Sequence, residues 1–275
     1  MVVAYDSPAM RLCLATDPGL ADDRFPLQRN LAAMELFAGL NSAHLSLFAT
    51  AAWRRRFSRG EVIFREGEPA DAFTTIVSGL VKVARTASDA GDCTLALSGA
   101  RESVGTASVL QRGLHTATAY AGSEIVEVLR IEAEPVLTAM SVDPSVAAAV
   151  NRALLAELDA LSSKIAILSA GPVPRRLARL FLTLADRFGD EMVDGSWGIP
   201  VCLSRADLAS LVGARVETVI RVISTWQKRG VLRTEEDRFE LLRPEALRAE
   251  LDGQRRSGFR TRRFASAPDL LSKLA

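Results

Sequence analysis

Residues 203–228 read LSRADLASLVGARVETVIRVISTWQK, and the rest of the chain is best understood outward from them. The spacing predicts two short helices around a tight turn at Gly213, where glycine supplies the conformation a sharp turn needs. Leu208, Val212, Ala214, Val219 and Val222 are spaced to form one small core, and Ala209 is small where the helices would cross. On the second helix, Glu217, Ile220 and Arg221 fall on the opposite, solvent face. This is a helix-turn-helix pattern, and it points to DNA.

Downstream, Val231-Leu232-Arg233 and residues 238–241 flank a polar turn over 234–237, the hairpin of a winged helix-turn-helix. Beyond Gly253, five arginines (Arg255, Arg256, Arg260, Arg262, Arg263) lie among Ser, Gly and Thr. The sequence favours a disordered solubilising tail there over a nucleic-acid arm. Upstream, 174–188 form an amphipathic helix with Leu177, Leu180, Phe181 and Leu184 on one face. Gly195 to Gly198 read as a turn, and Ile199-Pro200-Val201 as a short strand.

A longer helix begins at Asp143-Pro144-Ser145, with Asp143 as cap and Pro144 in the first turn. Leu154, Leu158, Leu161, Ile165 and Leu168 alternate spacings of four and three, as in a coiled-coil seam. The alternative is an amphipathic helix packed on its own domain; the narrow a/d stripe favours a dimer seam. The helix stops at a hinge, Ser169-Ala170-Gly171-Pro172.

Between 57 and 131 the period changes to that of strands. Short β-branched runs are punctuated by Gly60, Gly67 and Gly79, and further runs span 93–97, 115–119 and 125–131. Val81 and Val83 are expected to point one way, and Lys82 and Ala84 the other. Such spacing predicts a closed or sandwiched antiparallel domain. From Leu31, two helical pieces break at Gly39-Leu40-Asn41, with Asn41 and Ser42 as candidate caps, and helix returns at about Glu132. The expected class is α+β: a flexible arm (1–30), an effector domain (31–142), a dimerisation helix (143–170), a winged helix-turn-helix (171–252) and a basic tail (253–275).

Composition bounds the function. With 275 residues, 48% hydrophobic and 24% charged, the chain suits a soluble two-domain protein. Its net charge of +1 says little, because DNA binding depends on where basic residues cluster. The most apolar stretch, 146–168, carries Arg152, Glu157, Asp159 and Lys164, so no membrane span is expected. The N-terminus lacks the pattern of a secretory signal, and Cys13, Cys93 and Cys202 are far apart, which fits a reducing cytoplasm. No phosphate loop, metal-ligand cluster or nucleophile–base set appears, so an enzyme is not expected.

In this order of parts the chain resembles the cyclic-AMP receptor protein/fumarate-nitrate reduction regulator family over about residues 36–247. Three segments carry the likeness: FSRGEVIFREGEPADAFTTIVSGLVKV (57–83), with its glycines at the turns of a β-roll; the heptad helix; and LSRADLASLVGARVETVIRVISTWQKRGVL (203–232). The resemblance implies a β-roll sensor, a long dimerisation helix and a winged helix-turn-helix. It further implies a homodimer that reads a near-palindromic DNA site and acts on RNA polymerase.

Cyclic-nucleotide-binding members carry a cassette with a Gly-Glu pair, then an Arg-Ser/Thr-Ala run. Here the stretch is SVGTASVLQRGLHTATAYA: Gly105 matches, Thr106 stands for the Glu, His115 for the Arg, and Thr116 fits the remainder. A neutral imidazole cannot supply the charged bidentate fork of a phosphate site, so cyclic AMP is disfavoured. Arg112 is close enough in sequence to substitute. Three cysteines do not make an iron-sulfur site, and His44 and His115, the only histidines, give no haem signature. At Cys93 a buried strand thiol is expected over a redox sensor. The effector is therefore unknown.

The family's recognition helix often reads Arg-Glu-Thr-Val-Ser-Arg, against Val216-Glu217-Thr218-Val219-Ile220-Arg221 here. The resemblance implies that Glu217 accepts from cytosine and that Arg221 forks onto guanine, with Val216 and Ile220 free to pack on a thymine methyl. Glu217 and Arg221 could instead form a surface ion pair. Arg205, Arg215, Thr218, Lys228 and Arg229 are candidate phosphate contacts. The expected function is a homodimeric DNA-binding regulator; the alternative is a small-molecule sensor acting through protein contacts.

Overall fold

The computed structural model describes residues 24–87, 91–235 and 238–252. They divide between Ser162 and Ser163 into two compact units.

The first unit opens with α1 (Arg24–Ala33), a 3-10 turn (Glu35–Phe37) and α2 (Ser42–Thr50). Asn41 caps α2, its side chain accepting from the His44 N–H at 2.9 Å, as the sequence predicts. Helix α1 starts at Arg24, so the last seven residues of the expected arm, 24–30, are helical. Their neighbours Leu31, Leu36 and Phe37 are fully buried, and that core anchors the helix. The rest of the expected arm, like the basic tail, lies outside the described residues.

Eight strands follow: β1 (Ala52–Ser58), β2 (Val62–Phe64), β3 (Ala72–Ser78), β4 (Val81–Ala87), β5 (Gly91–Ser98), β6 (Ser103–Val104), β7 (Thr118–Ala121) and β8 (Ile125–Glu132). They make two antiparallel sheets, β1-β8-β3-β6 and β2-β7-β4-β5. Phe57, Ile63, Phe64, Ile76, Val81, Val104, Val126 and Val128, drawn from both sheets, share one buried cluster. A second cluster joins Phe73, Leu129 and Ile131 to Leu31, Phe37 and Phe48 and to Val136, Val146 and Val150. Burying such a side chain stabilises by about 1.5–3 kcal/mol, so these clusters hold the roll together. The α+β fold with a β-roll is the one expected from sequence.

Some local expectations fail for identifiable reasons. Ala84 is buried and Val83 only half-buried, because a bulge between them breaks the alternation. His115 precedes its strand, which starts at Thr118. Cys93 is exposed, on the edge strand β5, where the expectation was burial.

Helix α3 (Thr106–Leu110) lies between β6 and β7; α4 (Ala133–Val142) and α5 (Pro144–Leu168) follow β8. Asp143 accepts from the Ser145 N–H at 2.7 Å, and the Ser145 hydroxyl first, then this N–H, hold its carboxyl below the usual range. Along α5, Leu158, Leu161, Ile165 and Leu168 are exposed while Leu154 is half-buried; Leu155 joins the exposed stripe.

The second unit contains α6 (Val173–Phe188), β9 (Asp190–Glu191), β10 (Trp197–Ile199), α7 (Arg205–Val212), α8 (Val216–Lys228), β11 (Leu232–Thr234), β12 (Phe239–Leu241) and α9 (Pro244–Asp252). The strands form one sheet, β11-β12-β10-β9, with the expected hairpin at its edge. Strand β10 begins two residues before the expected one, pairing Trp197 with Leu241. Leu177, Leu180, Phe181 and Leu184 are buried as expected.

Candidate nucleic-acid interface and effector cassette

Helices α7 and α8 are set by their ends. Ser204 accepts from the Asp207 N–H at 3.0 Å and Asp207 accepts from the Ser204 N–H at 3.0 Å, a reciprocal capping box. Gly213 closes α7 with φ +58°, the left-handed conformation that favours glycine, and a Cβ there would also push against Leu168 Cδ2 at 2.9 Å. The carbonyl end of α7 is met by cations. Lys164 Nζ donates to Ser210 O at 2.7 Å, and Arg176 Nη1 donates to Val212 O and Gly213 O at 3.2 Å each.

Against this fixed α7, α8 buries Val219, Ile223 and Trp226, with Trp226 edge-on to Phe181 at 6.2 Å. Ile223 and Trp226 replace two expected core residues, Val222 and Ala214, which are half-buried. Positions 219, 223 and 226 follow the helical period, and Trp226 carries the larger apolar surface into the core.

The opposite face is open. Glu217, Ile220 and Arg221 are exposed, Ile220 by 45%, and Val216 is half-buried. Among the described residues, neither Glu217 nor Arg221 has an ion pair or a side-chain hydrogen bond. Arg215 is the N-cap of α8 but contributes no side-chain cap, and Lys228 closes the last turn. Arg215, Lys228 and Arg229 are exposed, and Thr218 is half-buried. Arg205 differs: it is half-buried, burial lowers its pKa, and Nη2 donates to Thr234 Oγ1 at 3.2 Å.

The cassette of the β-roll is closed. Gly105 caps α3 at φ +76°; a Cβ would approach Phe64 Cζ at 3.1 Å and His115 Nδ1 at 3.2 Å. The Phe64 and His115 rings stack at 3.8 Å between centroids, 11° apart. His115 is 3% exposed, and neither imidazole nitrogen has a protein partner. Burial first, and then Arg130, lower its pKa, so the ring is neutral. Arg112 does not take the place of a cassette arginine: Nη1 pairs with Glu134 at 2.9 Å, both side chains exposed. Thr116 is exposed as well. Of the five candidate residues, the structure brings together Gly105, Thr106 and His115.

The sequence reading missed the group on the other side of Thr106. Glu157 of α5 accepts from the Thr106 N–H at 2.9 Å. Burial raises its pKa, opposed by the Thr106 hydroxyl and the N–H groups of Thr106 and Ala107. That hydroxyl is itself buried and outside hydrogen-bond geometry. A carboxylate beside a heptad stripe gives no signal of such reach. Among the described residues no three His, Cys, Asp or Glu side chains are grouped to hold a metal, and no helix is long and apolar enough to cross a membrane.

The cyclic nucleotide-binding domain family matches residues 54–143, and the Crp-like helix-turn-helix domain family matches 175–250. The chain is 30% identical to the cyclic AMP receptor protein of Thermus thermophilus over 198 residues, 72% of this chain and 88% of that one. It belongs to the CRP/FNR family of transcription regulators. A CRP-like cAMP-activated global transcriptional regulator of Mycobacterium tuberculosis is 29% identical over 205 residues, 74% of this chain and 91% of the relative. A solved CRP-family regulator from Thermus thermophilus superposes with a TM-score of 0.61 at 26% identity, covering 72% of this chain and 96% of the other. As a CRP/FNR protein the chain is a DNA-binding transcription regulator with a domain of the cyclic nucleotide-binding type.

Proposed function

We propose that this CRP/FNR regulator works as a homodimer that reads a near-palindromic DNA site, with a β-roll whose input is not cyclic AMP. One observation carries the DNA reading: α8 is locked on one side by Val219, Ile223 and Trp226 and presents Glu217, Ile220 and Arg221 unpaired on the other. Arg221 forks onto guanine, Glu217 accepts from cytosine, and Ile220 and Val216 pack on thymine methyls. Arg215, Thr218, Lys228 and Arg229 clamp phosphates, while Arg205 also braces the wing through Thr234. The exposed Leu155, Leu158, Leu161, Ile165 and Leu168 support pairing of two α5 helices. Recognition helices so paired lie about 34 Å apart, one DNA turn. Its relatives being regulators, the chain acts through promoter DNA and RNA polymerase in the cytoplasm rather than as an enzyme.

Two named relatives are cyclic-AMP proteins, but the cassette here supports a different input. Its buried imidazole is neutral, Arg112 is paired elsewhere, and a carboxylate stands at Thr106. The test is selected-site sequencing followed by gel shifts over a salt series, with and without cyclic AMP. A palindrome whose affinity falls steeply with salt and does not respond to cyclic AMP is expected. Micromolar cyclic-AMP binding with a matching rise in DNA affinity defeats the reading of the cassette. Absence of any salt-dependent shift defeats the DNA reading in favour of a sensor acting through protein contacts.

A further inference from the structure

The contact between Glu157 and Thr106 joins residues 51 positions apart, yet a folded chain has little need to make it with a charge. A half-buried carboxylate with no ion-pair partner is a costly way to satisfy one backbone N–H. Among the described residues Glu157 has no ion pair; its carboxylate accepts from the N–H groups at the start of α3. The surroundings are built to match. Phe64 and His115 stack over Gly105, and the one nearby arginine of the cassette loop, Arg112, is held by Glu134.

We propose that Glu157 is a tethered ligand of the β-roll, its carboxylate taking the cassette N–H groups so that α5 is held to α3 with no bound molecule. This rests on the reading above that the domain does not use cyclic AMP, and it explains that reading. An anionic effector would meet a carboxylate already in place at the Thr106 N–H. The same helix carries the apolar stripe, and Leu158 is the next residue, so the tether fixes the seam that the dimer needs. Glu157 acts here as a positioning residue: it orients α5, and Leu155, Leu158 and Leu161 make the contact.

The experiment uses the full chain with Glu157→Met, which keeps the length and removes the acceptor, and Glu157→Gln, which keeps the acceptor. Amide hydrogen exchange reads the tether directly, and sedimentation reads the dimer. In E157M the amides of Thr106 and Ala107 should exchange at least about tenfold faster. Its dimer should weaken at least about fivefold. E157Q should stay within about twofold of wild type on exchange and dimerisation. Unchanged protection of Thr106 in E157M overturns the proposal, as does an unchanged dimer. A parallel loss in E157Q does so too, since Gln keeps the shape and the acceptor, and the contact would then depend on the charge and not on a hydrogen-bond acceptor. If E157M does not fold, Glu157→Ala is read by the same two measurements. Should wild type prove monomeric, or bind cyclic AMP, the reading of the function fails, while exchange at Thr106 still decides the tether.

Discussion

Arg221 and Glu157 are both charged side chains on helices of this chain, and they have opposite surroundings. Arg221 stands on the exposed face of α8 with no side-chain partner among the described residues. Glu157 is turned inward, and its carboxylate is engaged by the start of α3. A side chain kept charged, exposed and unpaired on a rigid element is ready for a partner. One that is half-buried and bonded from within has its partner already. The comparison separates a face left open to a partner from a place where the chain meets its own donors.

The rigidity under Arg221 is the first thing to break. Trp226 is buried at the centre of the second unit, edge-on to Phe181. Trp226→Ala should destabilise that unit by about 3–5 kcal/mol. Denaturant melts followed by circular dichroism check it; DNA binding should be lost with the fold. Arg221→Ala is the sharper cut, because nothing in the fold leans on its side chain. Stability should not change, while affinity for the cognate site should fall by about 1–3 kcal/mol with preference relaxed at one base pair. A selected-site assay in which R221A reads the same sequence equally well sinks the assignment.

How far each site was legible in the sequence follows the same division. The open face could be read because it depends on one helix: the period places Glu217, Ile220 and Arg221 together whatever surrounds them. The apolar stripe of α5 is exposed at Leu158, Leu161, Ile165 and Leu168, with Leu155 added and Leu154 half-buried; its pairing with a second copy is part of the proposal above. The filled site could not be read. It joins α3 to α5 across 51 residues, and nothing local distinguishes Glu157 from an ordinary solvated charge. The same holds for Arg112, whose nearness in sequence suggested a cassette role until Glu134, 22 residues away, was seen to hold it. The buried side of β4 failed through a bulge, which no alternation rule foresees.

The smallest expected effects come from two titratable groups, buried His115 and half-buried Glu157, and their signs oppose each other. Burial and Arg130 push the His115 pKa below its unfolded value of about 6.5, so the unfolded chain takes up a proton that the folded one refuses. Stability from this group is present above about pH 6.5 and is lost as pH falls toward the folded pKa. Glu157 is raised by burial, so its contribution is present below the unfolded carboxylate pKa of about 4.3 and is lost as pH rises through the folded value. His115→Phe, which keeps the stack on Phe64 and removes the proton, should cost under about 1.5 kcal/mol at pH 7.5. Its melting temperature should gain on wild type as pH falls from 7 to 5. Glu157→Gln should gain on wild type in the other direction, as pH rises from 4 to 7. Thermal melts across that range test both. If the two differences ran the same way, burial would not be what sets these groups, and the cassette would be open to water like the face of α8.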